Sequence, residues 1–139
     1  MNEPDLIDEI LTKTKTIAVV GISDKSNRAS FGVSAQMQRR GYRIVPVNPA
    51  LQQVLGEKCY PSLRDIPFLV DLVNVFRAPE FVPGIIEDAI AIRARYIWLQ
   101  EGVNHPEAVA RAAAAGLGVV ADKCLYKEHL RWQAEHKGD

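Results

Sequence analysis

Cysteine is scarce in this chain. Cys59 and Cys124 are the two thiols among 139 residues, too few and too far apart for a disulfide framework or a zinc site. A reducing compartment suits them. Net charge is missing as well, since Lys+Arg and Asp+Glu each number 17. Without a global field the chain is not expected to hold nucleic acid or an anionic membrane. Any anionic ligand must then be met by a local cluster of cations. No apolar run approaches the length of a membrane span. The start, Met1-Asn2-Glu3-Pro4-Asp5-Leu6, is acidic and lacks the basic segment and apolar core of a signal peptide. These absences predict a cytoplasmic protein. Internal repeats, low-complexity tracts and long linkers are also absent, and the chain reads as one domain over residues 1–139.

What is present is a core. Apolar residues make up 47% of the chain, enough for one globular interior and too many for disorder. Strand and helix signals alternate. Residues 17–20 form a short apolar run ended by Gly21, which suits a strand buried on both faces. After a polar stretch, residues 31–40 read as a helix stopped by Gly41. Residues 43–47 are the next strand, and Pro46 within it predicts an edge position or a bulge. Residues 54–65 read as a loop with room for a short edge strand and one helical turn. Residues 72–76 are a third strand. A helix follows with Pro79 near its start, an apolar face of Val82, Ile85, Ile86, Ala89 and Ile90, and Arg93 and Arg95 at its end. Residues 96–99 are a fourth strand. Residues 106–115 are a helix opened by Pro106, stopped by Gly116, and faced by Val109, Ala112 and Ala113. Residues 118–120 are a fifth strand, and residues 125–135 a terminal helix.

Strands separated by helices pair in parallel through right-handed crossovers. The predicted fold class is therefore α/β: a Rossmann-like, doubly wound, mainly parallel sheet of about five or six strands, with helices on both faces. Ligands of such sheets sit beyond the carboxyl ends of the strands, so the residues following each strand are the ones to read for function.

The first of these loops runs from Gly21 to Ser30. Gly21 permits a positive φ and close backbone approach. Ser30 is placed to cap the next helix, whose free amides would seat a phosphate. Ser23, Lys25, Arg28 and Ser30 add hydroxyl and cationic donors; the alternative is an ordinary polar loop with a good cap. G-x-G-x-x-G is missing here, and the second strand ends in Val47-Asn48-Pro49 without a carboxylate. Both absences oppose a dinucleotide site. Asn48 can bond a base or ribose with Pro49 as a wall, or the pair can simply make a turn. Phe76-Arg77 suits an adenine or a phosphate; otherwise Phe76 is core and Arg77 solvated. Trp98 reads as core and Gln100 as a rim residue. Asp122-Lys123-Cys124 follows the fifth strand. A thiolate there could exchange with the disulfide form of a ligand thiol, against the plainer alternative of a buried core cysteine.

In this order and spacing the pieces resemble the CoA-binding domain family, related to the N-terminal domain of the succinyl-CoA synthetase α subunit. They are Ile17-Ala18-Val19-Val20-Gly21-Ile22-Ser23, Asn27-Arg28-Ala29-Ser30, Val45-Pro46-Val47-Asn48-Pro49, Gly56-Glu57-Lys58-Cys59-Tyr60, Asp71-Leu72-Val73-Asn74-Val75-Phe76-Arg77, Trp98-Leu99-Gln100 and Asp122-Lys123-Cys124-Leu125. The resemblance runs from near Thr16 to near His129. It implies that the ligand is coenzyme A or an acyl-CoA. The first loop would take its phosphates, with Arg28 and Ser30 as donors. Asn48, Pro49, Phe76 and Arg77 would surround the adenosine, and the pantetheine arm would run toward Trp98-Leu99-Gln100. Two positions depart from the family pattern. Ala29 stands where proline is common, which predicts a less rigid loop. Lys123 stands where arginine is common, leaving a cation without its bidentate fork.

Catalytic machinery is not evident. The synthetases that resemble this chain use a phosphorylated histidine on a further domain. Here His105 precedes a helix-starting proline and suits a cap, while His129 and His136 read as solvated residues of a polar tail. A Cys124–His129 nucleophilic pair lacks an orienting third group. Three functions stay open: a stand-alone CoA or acyl-CoA carrier or sensor, an NAD(H)-binding redox sensor, and a CoA-binding subunit of a ligase or transferase that needs a partner chain.

Overall fold

The computed structural model describes residues 1–136; the last three residues of the 1–139 reading lie outside the described ones. Five strands form one sheet: β1 (Thr16–Val20), β2 (Arg43–Val47), β5 (Leu72–Val75), β6 (Tyr96–Leu99) and β7 (Gly118–Val120). Their order is β2-β1-β5-β6-β7, and every pairing is parallel. A separate small hairpin joins β3 (Gln53–Val54) to β4 (Glu57–Lys58). Five α-helices lie among the described residues: α1 (Glu3–Lys13), α2 (Ala29–Arg39), α3 (Val82–Ala91), α4 (Pro106–Ala114) and α5 (Leu125–Glu135). Among the described residues no helix is long and apolar enough to cross a membrane.

The side-chain alternation of the strands divides the interior in two. Ala18, Val73, Val75, Ile97 and Leu99 point to one cluster, which α3 and α4 complete with Ile86, Ala89 and Ala112. Ile17, Val19, Leu72, Tyr96 and Trp98 point to the other, which α1, α2 and α5 complete with Ile10, Met37 and Leu125. Both sheet faces are therefore covered, and the strands read as unbroken apolar runs. Pro46 lies on the edge strand β2, where its missing N–H costs no ladder bond; its carbonyl accepts from Tyr60 N at 3.0 Å.

Several elements differ from the sequence expectations. Helix α1 has no counterpart among them. Asn2 caps it, accepting from the Asp5 amide at 2.9 Å, and Ile7, Ile10 and Leu11 are its buried face. The proline-led helix opens instead as a 3-10 turn over Pro79–Phe81 before α3 begins. The 54–65 stretch holds the expected helical turn as a 3-10 turn, Leu63–Asp65, while its short strand β4 pairs in the hairpin and Tyr60 alone bridges Val47 on the outer side of β2. In α4, Ala108 and Ala112 are buried while Ala113 is exposed, so the apolar stripe is turned by one position.

Strand order reverses beside β1: the chain leaves β1 for β2 on one side and returns to β5 on the other. Open sheets of this kind form their ligand crevice at such a reversal, and here Gly21 and Phe76 flank it.

Candidate functional site

Gly21 sets the geometry of the crevice. Its φ is +84°, and a Cβ there would stand 2.5 Å from the Phe76 carbonyl oxygen and 2.9 Å from Arg77 Cδ. Only glycine lets the two strand ends come this close. The polar loop that follows is fastened internally. Ser23 N donates to Ser30 Oγ at 2.9 Å, Lys25 N to Ser23 Oγ at 3.0 Å, and Arg28 N to Lys25 O at 3.0 Å. Ser30 is thus not the helix cap. Arg28 occupies that position without a side-chain bond, and α2 starts at Ala29. The reason is local: Ser30 Oγ accepts from the Ser23 amide, inside the first turn, which leaves its O–H as a donor. Arg28 and Lys25 remain exposed above the helix start, where the first amides have no intrahelical partner.

Three clefts run side by side along this carboxyl edge. The first, about 430 Å³, lies between Gly21, Asn48, Pro49 and Arg77. The second, about 370 Å³, is the polar loop itself with Ser23, Lys25, Arg28, Ser30 and Phe76. The third, about 330 Å³, is lined by Phe76, Arg77, Val103, Gln100 and Cys124. They share walls: Gly21 belongs to the first two, Ala29 and Phe76 to the second and third, and Arg77 to the first and third. One groove thus crosses the reversal point, with cations at its middle and apolar surface at both ends.

Not every residue singled out in the sequence reaches this groove. Trp98 is fully buried and its indole N–H donates to Lys123 O at 2.8 Å, so it stabilises the loop after β7 and offers no surface to a ligand. Lys123 lines none of the three clefts; its ammonium lies 3.3 Å from the Glu3 carboxylate on α1. Asn48 lines the first cleft but its amide is already used: Nδ2 donates to Ile22 O at 2.9 Å and Oδ1 accepts from Ala50 N at 2.8 Å. It ties the second strand's end to the first loop and makes the turn at Pro49. Gln100 is buried at the floor of the third cleft, held by a 2.6 Å bond from its Nε2 to Asn74 Oδ1. Cys124 is half-buried on the wall of that cleft, not in the core; Cys59 is the buried thiol, pushed up in pKa by desolvation.

Two of the three histidines follow expectation and one does not. His105 caps α4, its Nδ1 accepting from Ala108 N at 3.1 Å. His136 is exposed. His129 is not solvated: it is 4% exposed, wedged edge-on against Tyr42 and beside Trp132. Burial lowers its pKa, and the Arg40 charge lowers it further. It faces the α1–α2–α5 layer while Cys124 faces the groove, so the two make no nucleophilic pair. Residues that the sequence reading passes over also matter here. Phe81 and Val103 line the groove from turns after β5 and β6; their signal was an apolar residue a few positions past a strand end.

The sequence model of one family, the CoA binding domain, matches residues 15–130. This chain belongs to the CoA-binding domain family. The matched span agrees with the limits of the resemblance seen in the sequence. Uncharacterized protein YneT of Bacillus subtilis is 42% identical over 123 residues, covering 88% of this chain and 91% of its own. Acetate–CoA ligase [ADP-forming] II of Archaeoglobus fulgidus is 34% identical over 87 residues, which is 61% of this chain and 13% of the ligase. Among solved structures, a hypothetical protein from Pyrococcus horikoshii OT3 superimposes with a TM-score of 0.91 at 40% identity, covering 94% of this chain and 92% of that one. The chain is thus similar both to proteins of its own size and to one portion of a much longer ligase.

Proposed function

We propose that the chain binds coenzyme A or an acyl-CoA along the three-cleft groove and serves as a carrier or sensor of it. The observation that carries this reading is the groove's continuity, an apolar cleft on each side of a cationic middle, which suits a ligand whose phosphates lie between two less polar ends. The phosphates would be met by Lys25 and Arg28 with the Ser23 and Ser30 hydroxyls. The adenosine would lie in the first cleft against Pro49 and the Val20 and Val47 side chains, with Arg77 at its border. The pantetheine arm would cross Phe76 into the third cleft toward Gln100 and Cys124. Gly21 lets Phe76 and Arg77 close against the first loop, since a Cβ there would strike the Phe76 carbonyl and the Arg77 side chain. Coenzyme A brings an acyl-carrying thiol; this chain's residues bind and orient it.

A thermal-shift comparison tests the reading. A ligand specific to the native state at a hundred times its dissociation constant adds roughly 2.7 kcal/mol. CoA is expected to raise the melting temperature more than NAD or NADH, in line with the missing glycine fingerprint and ribose carboxylate. Equal or greater stabilisation by NADH rejects it. The likeness to a portion of an ADP-forming ligase supports a second reading, a CoA-binding subunit that works with a partner chain. Co-purification with an ATP-binding ligase subunit, together with CoA-ligase activity only in the mixture, is the result that reading requires.

A further inference from the structure

Phe81 is one of four large apolar side chains left exposed among the described residues, with 45% of its surface open. It ends the 3-10 turn Pro79–Phe81 and lines the first cleft. Its ring faces the Arg77 guanidinium, whose Cζ lies 4.0 Å from the ring centroid. Arg77 is held at its base as well, where Cδ and Cγ pass 2.9 and 3.1 Å from the place a Gly21 Cβ would take. The side chain is therefore fixed at both ends, between backbone and ring. Asp88 is the carboxylate of the same cleft, and Arg64 already binds it at 2.7 Å. Among the described residues, Arg77 has no ion-pair partner.

We propose that Phe81 is a positioning residue that holds the Arg77 guanidinium at the junction of the first and third clefts, ready for an anionic group of the ligand. The inference rests on the CoA reading and names what sets that contact. The chemistry of the holder is informative. A carboxylate partner would occupy two of the five guanidinium donors and cancel the charge offered to an anion. An aromatic face attracts the cation and leaves its N–H donors and its charge available. A loose arginine side chain would also lose rotamer freedom when it meets a ligand, and one already confined loses less.

The test is calorimetric titration of CoA into wild type, Phe81→Ala, Phe81→Tyr, Arg77→Met and the Phe81→Ala/Arg77→Met pair. Phe81→Ala is expected to weaken CoA about two- to fivefold, the worth of an exposed cation–π contact, and Phe81→Tyr to restore it. Arg77→Met should weaken CoA roughly ten- to a hundredfold, as for a lost charge-assisted bond. Adding Phe81→Ala to Arg77→Met should then cost nothing more, because the two act as a unit. An equal loss from Phe81→Ala in both backgrounds makes Phe81 a direct ligand contact and overturns the proposal; so does unchanged affinity in Phe81→Ala. If Phe81→Ala melts early without ligand, Phe81→Leu decides, since it keeps apolar cover without the aromatic face: weakened binding supports the proposal and wild-type binding overturns it. Failure of the wild type to bind CoA removes the CoA reading and this one together, whereas wild-type binding with indifferent Phe81 variants removes this one alone.

Discussion

Gly21→Ala strikes the point where two strands come nearest to touching. The alanine would have to accept a φ of +84°, and its Cβ would stand 2.5 Å from the Phe76 carbonyl oxygen. The Arg77 methylenes crowd the same place, and the carbonyl cannot move without displacing the end of β5. A left-handed backbone costs a non-glycine residue about 1–2 kcal/mol. Relief of overpacking against fixed neighbours adds roughly 1–3 kcal/mol. At about 4 °C per kcal/mol for a domain of this size, the melting temperature should fall by roughly 8–20 °C. Gly116→Ala separates the two causes. Its φ is +93° and nothing stands within 4 Å of the added carbon, so it incurs the backbone cost alone, about 4–8 °C. Side-by-side melts followed by circular dichroism read this difference, and CoA titration should show lost affinity in Gly21→Ala only. Equal melting losses in the two variants would refute the close-approach reasoning.

Three other outcomes follow from the same contacts. His129 has a folded pKa held below its ordinary 6.5 by burial and Arg40, so the unfolded chain takes the proton first as pH falls. Its contribution to stability is complete above about 6.5, is lost as pH drops from there toward the folded value, and levels off below that. Denaturant melts at about pH 8 and about pH 5 should therefore show a larger acid loss in wild type than in His129→Gln; identical losses would remove His129 as the cause. Incubation with CoA disulfide should leave a reductant-sensitive CoA adduct, formed as the Cys124 sulfur displaces one CoA thiolate. Intact mass should show it lost in Cys124→Ser and kept in Cys59→Ser, and no adduct in wild type ends the idea. Asn74→Ala removes the acceptor of the 2.6 Å bond from Gln100, leaving a buried amide unpaired at about 1–3 kcal/mol; a melt within 2 °C of wild type, roughly the measuring error against an effect several times larger, would contradict it.

Much of the fold is legible in the sequence because its strands are buried on both faces. Residues 96–99 and 118–120 stand out as apolar runs between helical stretches and glycine, and they match β6 and β7 residue for residue. Pro46 predicts an edge position or a bulge for β2, and the sheet order selects the edge. Helix α1 is harder to see because only three apolar residues, Ile7, Ile10 and Leu11, are buried on an otherwise charged segment. Asn2 three residues before Asp5, with Pro4 in the first turn, is the signal that could reveal it. The site separates in the same way. The loop after each strand is legible from topology, and Gly21, Arg28, Phe76, Gln100 and Cys124 all lie on the groove. What side chains do there depends on partners far away in sequence. Nothing near Lys123 foretells its pairing with Glu3 across the chain. His129 looks solvated in its polar surroundings and is buried by Tyr42, which comes from the turn between α2 and β2.

The strand order has a consequence for how the chain leaves the ribosome. β1 pairs with β2 soon after both are made, but its other edge waits for β5, with α2, β2 and the small hairpin synthesised in between. At about 5–20 residues per second, that edge of Thr16–Val20 stands open for a matter of seconds. Its sequence, Thr-Ile-Ala-Val-Val, is uncharged, β-prone and free of proline, the kind of segment that pairs with copies of itself. Protection sits at the nascent unit's opposite margin, where Arg43 and Pro46 of β2 make a poor template for another strand. Substitutions that slow the arrival of Leu72–Val75 should therefore lower soluble yield before they alter the folded protein, and Pro46→Val should add to that loss by opening the second margin.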